Sequence, residues 1–220
     1  MSNVLKGVIA VVGLLSATGT YAALTPVGVQ NDVLYSDVVG SWGWNVVSVS
    51  NYGDSTAISA LFNGLSASDK VMIGAMHAGS NTIDVLAAAT LADITQYTGL
   101  NVTHVANGVE WYFNGYSMGF AGLGDVINQT SADTNGLNER DRLSWHTTMT
   151  ANTFNQNSSL SPLYVYNGWR SGSNYNIYQG TDWQRVVFTT AVPEADTYAM
   201  MLAGLGLVGF MARRRAQAAV

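Results

Sequence analysis

The apolar run Tyr198–Ala212, closed by Arg213-Arg214-Arg215, takes the end of this chain out of any globular core. Its fifteen residues make roughly 22 Å of helix at 1.5 Å per residue. A stable transmembrane span needs about 20 residues. Three adjacent arginines resist translocation, so they hold the terminus on the cytoplasmic side and place everything before Pro193 outside. A core helix rarely ends on three consecutive guanidinium groups. The segment therefore reads as a hydrophobic membrane helix over residues 198–212 with a basic stop at 213–215.

Immediately upstream stands Val192-Pro193-Glu194-Ala195-Asp196. The succession of a Pro-Glu box, the stretch Tyr198-Ala-Met-Met-Leu-Ala-Gly-Leu-Gly-Leu-Val-Gly-Phe210 and the arginine cluster resembles the PEP-CTERM sorting signal, also described as an ice-binding-protein C-terminal domain. The resemblance covers Val192–Arg215, with Ala195 standing where the family carries a second proline. It implies export by a Gram-negative bacterium that makes extracellular polysaccharide, and processing near the Pro-Glu box by the membrane protease-transpeptidase exosortase. Val192, Pro193, Glu194, Arg213, Arg214 and Arg215 would form the signal. The implied location is the cell envelope, the outer surface or the extracellular matrix, held by a transient or retained single-pass anchor. A plain C-terminal membrane anchor would share the same hydropathy.

The other end fits an exported chain. Lys6 is the only charged side chain before Asp32, and the apolar stretch Gly7–Leu15 is too short to span. Small residues follow, with Thr20 and Ala22 suitably placed for cleavage after Ala22, so residues 1–22 read as a signal peptide. Residues 23–191 remain as one domain, long enough to bury a sizeable core. Twelve acidic residues there face five basic ones, an excess that offers nucleic acid no electrostatic footprint. With no cysteine in the chain, stability must come from packing alone. Cysteine-ligated zinc and iron–sulfur sites are excluded.

Short alternating runs predict a mainly β domain, a sandwich or jelly roll with one short helix; an α+β arrangement is the alternative. Expected strands are 42–50, 70–77, 82–89, 101–106, 109–113, 116–120, 142–147, 163–166 and 183–189. Asp54 or Ser55 should cap a helix carrying Ile58, Leu61, Phe62 and Leu65. The Ala-rich stretch 86–92 is compatible with strand or helix. Asn107-Gly108 and Asn114-Gly115 read as two-residue hairpin links. Long polar loops are expected over 120–142, 151–161 and 171–181, the last entered by a Gly-Trp-Arg-Ser-Gly turn at 168–172.

Catalytic patterns are thin. Gly115-Tyr116-Ser117-Met118-Gly119 matches G-x-S-x-G, and His146 follows with Asp125, Asp133 and Asp141 between. A nucleophile elbow needs a helix after the serine, and the Gly-broken 120–124 does not read as one. His77, His104 and His146 share no metal-ligand spacing and fall in expected strands. Asp133, Asn135 and Glu139 form the best calcium candidate, but the twelfth-position glutamate of a calcium loop is missing. No cofactor and no assigned metal follow from these residues. For a secreted polysaccharide hydrolase, two carboxylates about 5–10 Å apart would be required; Glu110 with Asp125, and Glu139 with Asp141, are the pairs to inspect.

Aromatic residues carry the strongest sign of a binding surface. Trp42 and Trp44 share one strand face, as do Trp111 and Phe113, and Tyr164 and Tyr166. Most should fill the core of a disulfide-free domain. Trp169, Tyr175, Tyr178 and Trp183 cluster around the third loop and are the candidates for stacking on sugar rings. Ice binding needs a flat repeated array, and no repeat is present. The reading is an exported, non-enzymatic surface or matrix protein associated with exopolysaccharide, with the hydrolase as its alternative.

Overall fold

A computed structural model describes residues 23–127, 140–147, 164–165, 168–171, 182–190, 202–211 and 213. Residues 1–22, expected to be a signal peptide, and most of the three expected loops lie outside them. The described part is mainly β: two five-stranded antiparallel sheets and a two-stranded ribbon, with three helical turns of four or five residues.

The first sheet is built on β4 (Lys70–His77) and β5 (Thr82–Thr90), joined through the expected turn at residues 78–81. β1 (Gln30–Leu34) flanks β5. On the other side β12 (Trp183–Thr190) separates β4 from β2 (Trp44–Asn51), giving the order β1-β5-β4-β12-β2. The Ala-rich stretch is thus strand up to Thr90, where the threonine hydroxyl caps a single turn, α3 (Leu91–Ile94), by accepting from the Asp93 N–H. Strand wins because Ala87 and Ala89 face one core while Ala88 faces another.

The second sheet is a meander of β6 (His104–Ala106), β7 (Val109–Phe113), β8 (Ser117–Gly122) and β9 (Arg142–His146), extended by β11 (Gly168–Ser171). A period of two divides its side chains. Val109, Trp111, Phe113, Met118, Phe120, Leu143 and Trp145 pack against Val71, Ile73, Ala75, Val85, Ala87 and Val187 of the first sheet. That shared core makes the two sheets a sandwich.

A second core covers the outer face of the first sheet. β1 and β2 lie at opposite edges and run parallel, so the link between them crosses the whole sheet. It does so through α1 (Tyr35–Val39) and the Trp42–Trp44 segment, which bury Val38 and Trp44 on Met72, Leu86, Val186 and Phe188. Neither β1 nor α1 is evident from the sequence pattern, because the strand alternates weakly and the helix has no side-chain cap.

Three local expectations need correction. Asp54 and Ser55 do not cap the short helix: β3 (Thr56–Ala57) intervenes, pairing with β10 (Tyr164–Val165), and α2 runs only over Ile58–Leu61. The apolar stripe is nonetheless right, with Leu61 and Phe62 buried and Ile58 and Leu65 packed beside them. Asn107-Gly108 is the expected positive-φ link, at φ 50° and 73°. At the next hairpin the two linking residues are Gly115 and Tyr116, one position later than expected. There Asn114 Oδ1 accepts from the N–H groups of Tyr116 and Ser117, and this side-chain turn replaces a left-handed backbone pair. The third correction concerns Trp169 and Arg170, which lie in β11 opposite Ser144 and Leu143, not in a turn.

Polar side chains tie the layers together. Asn107 donates to the carbonyls of Pro26 and Ala88, linking the second-sheet hairpin to the first sheet and to the N-terminal segment. Tyr52, fully buried, accepts from Trp145 Nε1 at 3.2 Å. Its ring occupies the place where a Cβ on Gly168 would stand, 2.0 Å away, so that position admits only glycine.

Arg185 is fully buried on the inner face of β12. Its guanidinium donates to Ser50 Oγ, the Asn51 and Asp54 carbonyls and Thr56 Oγ1, holding the β2–β3 loop closed. Burial draws its pKa down to about 10, with Tyr52 and Asp54 opposing the shift, so it remains a cation at neutral pH. Arg185→Ala would strand two carbonyls and is expected to cost about 2–4 kcal/mol. Urea unfolding should show it as a lower midpoint at unchanged slope; an unaltered midpoint would contradict this role.

Candidate functional site

The tail is the first candidate. Residues 202–211 and 213 are helical. Leu202, Leu205, Leu207, Val208, Phe210 and Met211 are each about half or more exposed, on every side of the helix. Among the described residues nothing covers these apolar side chains, and a helix apolar on all sides is of the kind found buried in a core or a membrane. Arg213, the last of the described helical residues, is also exposed. Among the described residues no helix is long and apolar enough to cross a membrane. Val192, Pro193, Glu194, Arg214 and Arg215 lie outside the described residues.

The aromatic residues divide into core and remainder. Trp44, Trp111 and Trp145 are fully buried, and each indole N–H has an acceptor: the Leu24 carbonyl, the Ala106 carbonyl and Tyr52 Oη. They are core residues in the sense expected for most of the tryptophans. Trp183, at the start of β12, is half-buried against the inter-sheet core, with its ring 5.0 Å from that of His77. Trp169 is placed by its backbone on β11, an edge strand of the second sheet. Tyr175 and Tyr178, the other two residues of the expected sugar-stacking group, lie outside the described residues.

The outer face of the second sheet is largely buried and mixed, with polar side chains beside a small apolar cluster of Tyr112, Ala121 and Ile127. Register places Glu110, Ala121 and Arg142 in one row, Tyr112, Gly119 and Ser144 in the next, and Ser117 opposite His146. Arg142 is 1% exposed and donates to Asp125 at 3.0 Å. Tyr112 donates its hydroxyl to the Leu143 carbonyl. Ser144 is fully buried, and among the described residues its hydroxyl has no hydrogen-bond partner. No sequence pattern marked this layer, because Arg142 opens β9 directly behind Glu139, Arg140 and Asp141 and does not stand out from that charged run.

This face contains the residues that matched a hydrolase pattern. Glu110 accepts from Thr103 Oγ1 and from the Gly124 N–H, and the adjacent Asp125 is paired with Arg142. Both carboxylates therefore stand at one end of the same face, each engaged with the protein. Glu139 lies outside the described residues, while Asp141 accepts from Asn31 Nδ2. Ser117 opens a strand after a hairpin, not a helix, and is fully buried. The strand–turn–helix of a nucleophile elbow is absent at this position. Gly119 is required for another reason: a Cβ there would lie 2.0 Å from the Leu143 carbonyl oxygen across β8 and β9.

The three histidines do fall on strands, as expected, at the end of β4, in β6 and in β9. Among the described residues no group of three acidic, histidine or cysteine side chains could hold a metal ion. The calcium candidate Asp133, Asn135 and Glu139 lies outside them. A shallow open depression of about 440 Å³ is lined by Ile58, Phe62, Leu65, Leu91 and Thr95, and contains no charged group.

Comparison with known families gives one match: the PEP-CTERM protein-sorting motif, over residues 191–215. No curated protein and no solved structure matches the chain. The motif is that of a protein exported to the cell envelope and processed by an exosortase, a membrane enzyme. It covers the tail and leaves the β domain unassigned.

The close approach of β8 and β9 yields a test of how the serine motif is read. Gly119→Ala forces a methyl group against backbone and is expected to destabilise the domain by about 3 kcal/mol. The loss should appear as a lower thermal midpoint, accompanied by a changed near-ultraviolet signal from Trp145. A variant of wild-type stability would mean that the glycine serves something other than strand packing.

Proposed function

We propose that this chain, a carrier of the PEP-CTERM sorting motif, is a non-enzymatic component of the cell surface or extracellular matrix whose β-sandwich is displayed outside the cell. The observation that carries the reading is the motif at residues 191–215, ending on an exposed apolar helix and its arginines. Export takes the sandwich to compartments where many domains are held by disulfides; this chain has no cysteine, and its doubly buried first sheet supplies the stability by packing instead. The non-enzymatic part is supported by how the polar side chains are used. Glu110, Asp125 and Arg142 engage one another's neighbourhood and the backbone, so a substrate would have to break these contacts first.

Exopolysaccharide is the partner this reading favours. The support is chemical: a domain rich in Asn, Ser and Thr, poor in charge, with Trp169 on an edge strand and Tyr175 and Tyr178 in the following segment. Aromatic rings stack on the apolar faces of sugars, and amides hydrogen-bond their hydroxyls.

Two measurements test the proposal. Replacing Arg213, Arg214 and Arg215 by Ser should shift the protein between membrane, surface and medium fractions and leave an unprocessed species on immunoblots. Identical fractionation of variant and wild type would remove the basic stop from the mechanism. For the sandwich, a glycan array probed with residues 23–191 should show retention of at least one secreted polysaccharide. Tyr175→Ala and Tyr178→Ala should each weaken it about tenfold, or ~1.4 kcal/mol. Absence of retention above background would leave the sugar partner unsupported and the sorting reading intact.

A further inference from the structure

β2 (Trp44–Asn51) is an edge strand of the first sheet, with no strand paired to its outer side among the described residues. Edge strands are templates for further pairing, and proteins that must stay single guard them with charge, proline or brevity. β2 has eight residues, no proline and no charge. Indeed no charged residue occurs between Asp37 and Asp54.

One bulge changes how this strand presents itself. Against β12, Val187 pairs with Ser48 and Phe188 with Val46, so Val47 is an extra residue. Without it Val46 and Val49 would point to opposite faces. With it both point outward, because their partners Phe188 and Val186 belong to the outer core. They remain 42% and 44% exposed. Trp44 and Asn51 share that outer face, the latter through Gln184 beside Met76. Val47 packs on the inner core, as does Val187, the partner of Ser48; Ser50 accepts from Arg185 on the same side, and Asn45 pairs with Thr189 there.

Read from Trp44 to Asn51, the faces run outer, inner, outer, inner, inner, outer, inner, outer. The order is the same in reverse. An antiparallel copy centred between Val47 and Ser48 therefore matches face to face at every position, a condition any strand pairing must meet. Val46 then stands opposite Val49 of the second copy, and Val49 opposite its Val46, gathering four half-exposed valines into one apolar cluster. Two-fold self-pairing of this kind is an isologous interface. Charge selects the same partner: residues 23–191 carry seven more acidic than basic residues, and two such surfaces approach with least repulsion along a neutral seam.

We infer that β2 is a self-association edge, through which a second copy of this chain joins the two first sheets into one continuous antiparallel sheet with Val46 facing Val49. The inference stands apart from the sorting and sugar readings, since neither motif nor aromatic group enters it.

The chain has no cysteine, which makes disulfide trapping clean. Full chain carrying Val46→Cys is mixed with full chain carrying Val49→Cys in mild detergent under oxidation, one of them bearing a size tag. Directly opposed residues have Cβ atoms about 4.5–5.5 Å apart, close to disulfide geometry. Residues 46 and 46 of the two copies are offset by three positions, about 10 Å, beyond reach. The mixture should give the tagged–untagged species at least about tenfold above either variant alone. Asn45→Cys with Ser50→Cys, the next matched pair, should behave the same way and covers the case where a valine variant misfolds. No cross-link in either mixture, or equal cross-linking of single variants by themselves, would overturn the inference.

Discussion

Strands β4 and β5 have no face turned to water, and the rest of the domain is arranged to make that possible. Residues 71–76 and 85–89 are buried without interruption. Their odd-numbered side chains enter the core shared with the second sheet, and their even-numbered ones meet α1 and Trp44. Small residues make this double packing feasible. A Cβ on Gly74 would lie 2.6 Å from the Val85 carbonyl oxygen, and three consecutive alanines in β5 keep both neighbours close. A chain without disulfides gains its stability from such burial, at about 25 cal/mol for each Å² of apolar surface removed from water.

Much of this was legible in the sequence wherever the period was clean. β4, a bounded apolar run, and β7, closed by its turn residues, were readable to the residue, and β9 and β12 to within one. The Asn107-Gly108 link declared itself through two residues that tolerate positive φ. What escaped was non-local. β1 and β3 are short elements whose residues carry no distinctive period, and they exist because a partner strand is present, whereas β10 falls within the expected strand 163–166. β11 was hidden behind glycines that mark turns; Gly168 is there because the Tyr52 ring needs its space. The strand 101–106 was over-read, since Asn101 takes a left-handed conformation that ends extended pairing.

The candidate sites show the same division. The tail was readable because its signal is linear: a box, an apolar segment and a cluster of charge in consecutive residues. The β domain's polar layer was not, because it depends on register. Glu110, Asp125 and Arg142 are scattered over more than thirty positions and meet only once β7, β8 and β9 align. Conversely, Gly115–Gly119 matched a catalytic pattern but lacked the helix that pattern needs, and it is a tight hairpin followed by closely spaced strands. A short motif constrains chemistry only when the fold supplies the turn it needs.

The position of β12 carries a consequence for biogenesis. It is the last strand of the domain, yet it sits between β4 and β2 in the middle of the first sheet. A ribosome delivers residues 44–51 well before 183–190, so the early strand waits with its hydrogen-bonding groups unsatisfied until nearly the whole domain has been synthesised. Non-local pairing of this kind is slow and leaves sticky intermediates. Closure of the sheet and appearance of the tail thus coincide in time.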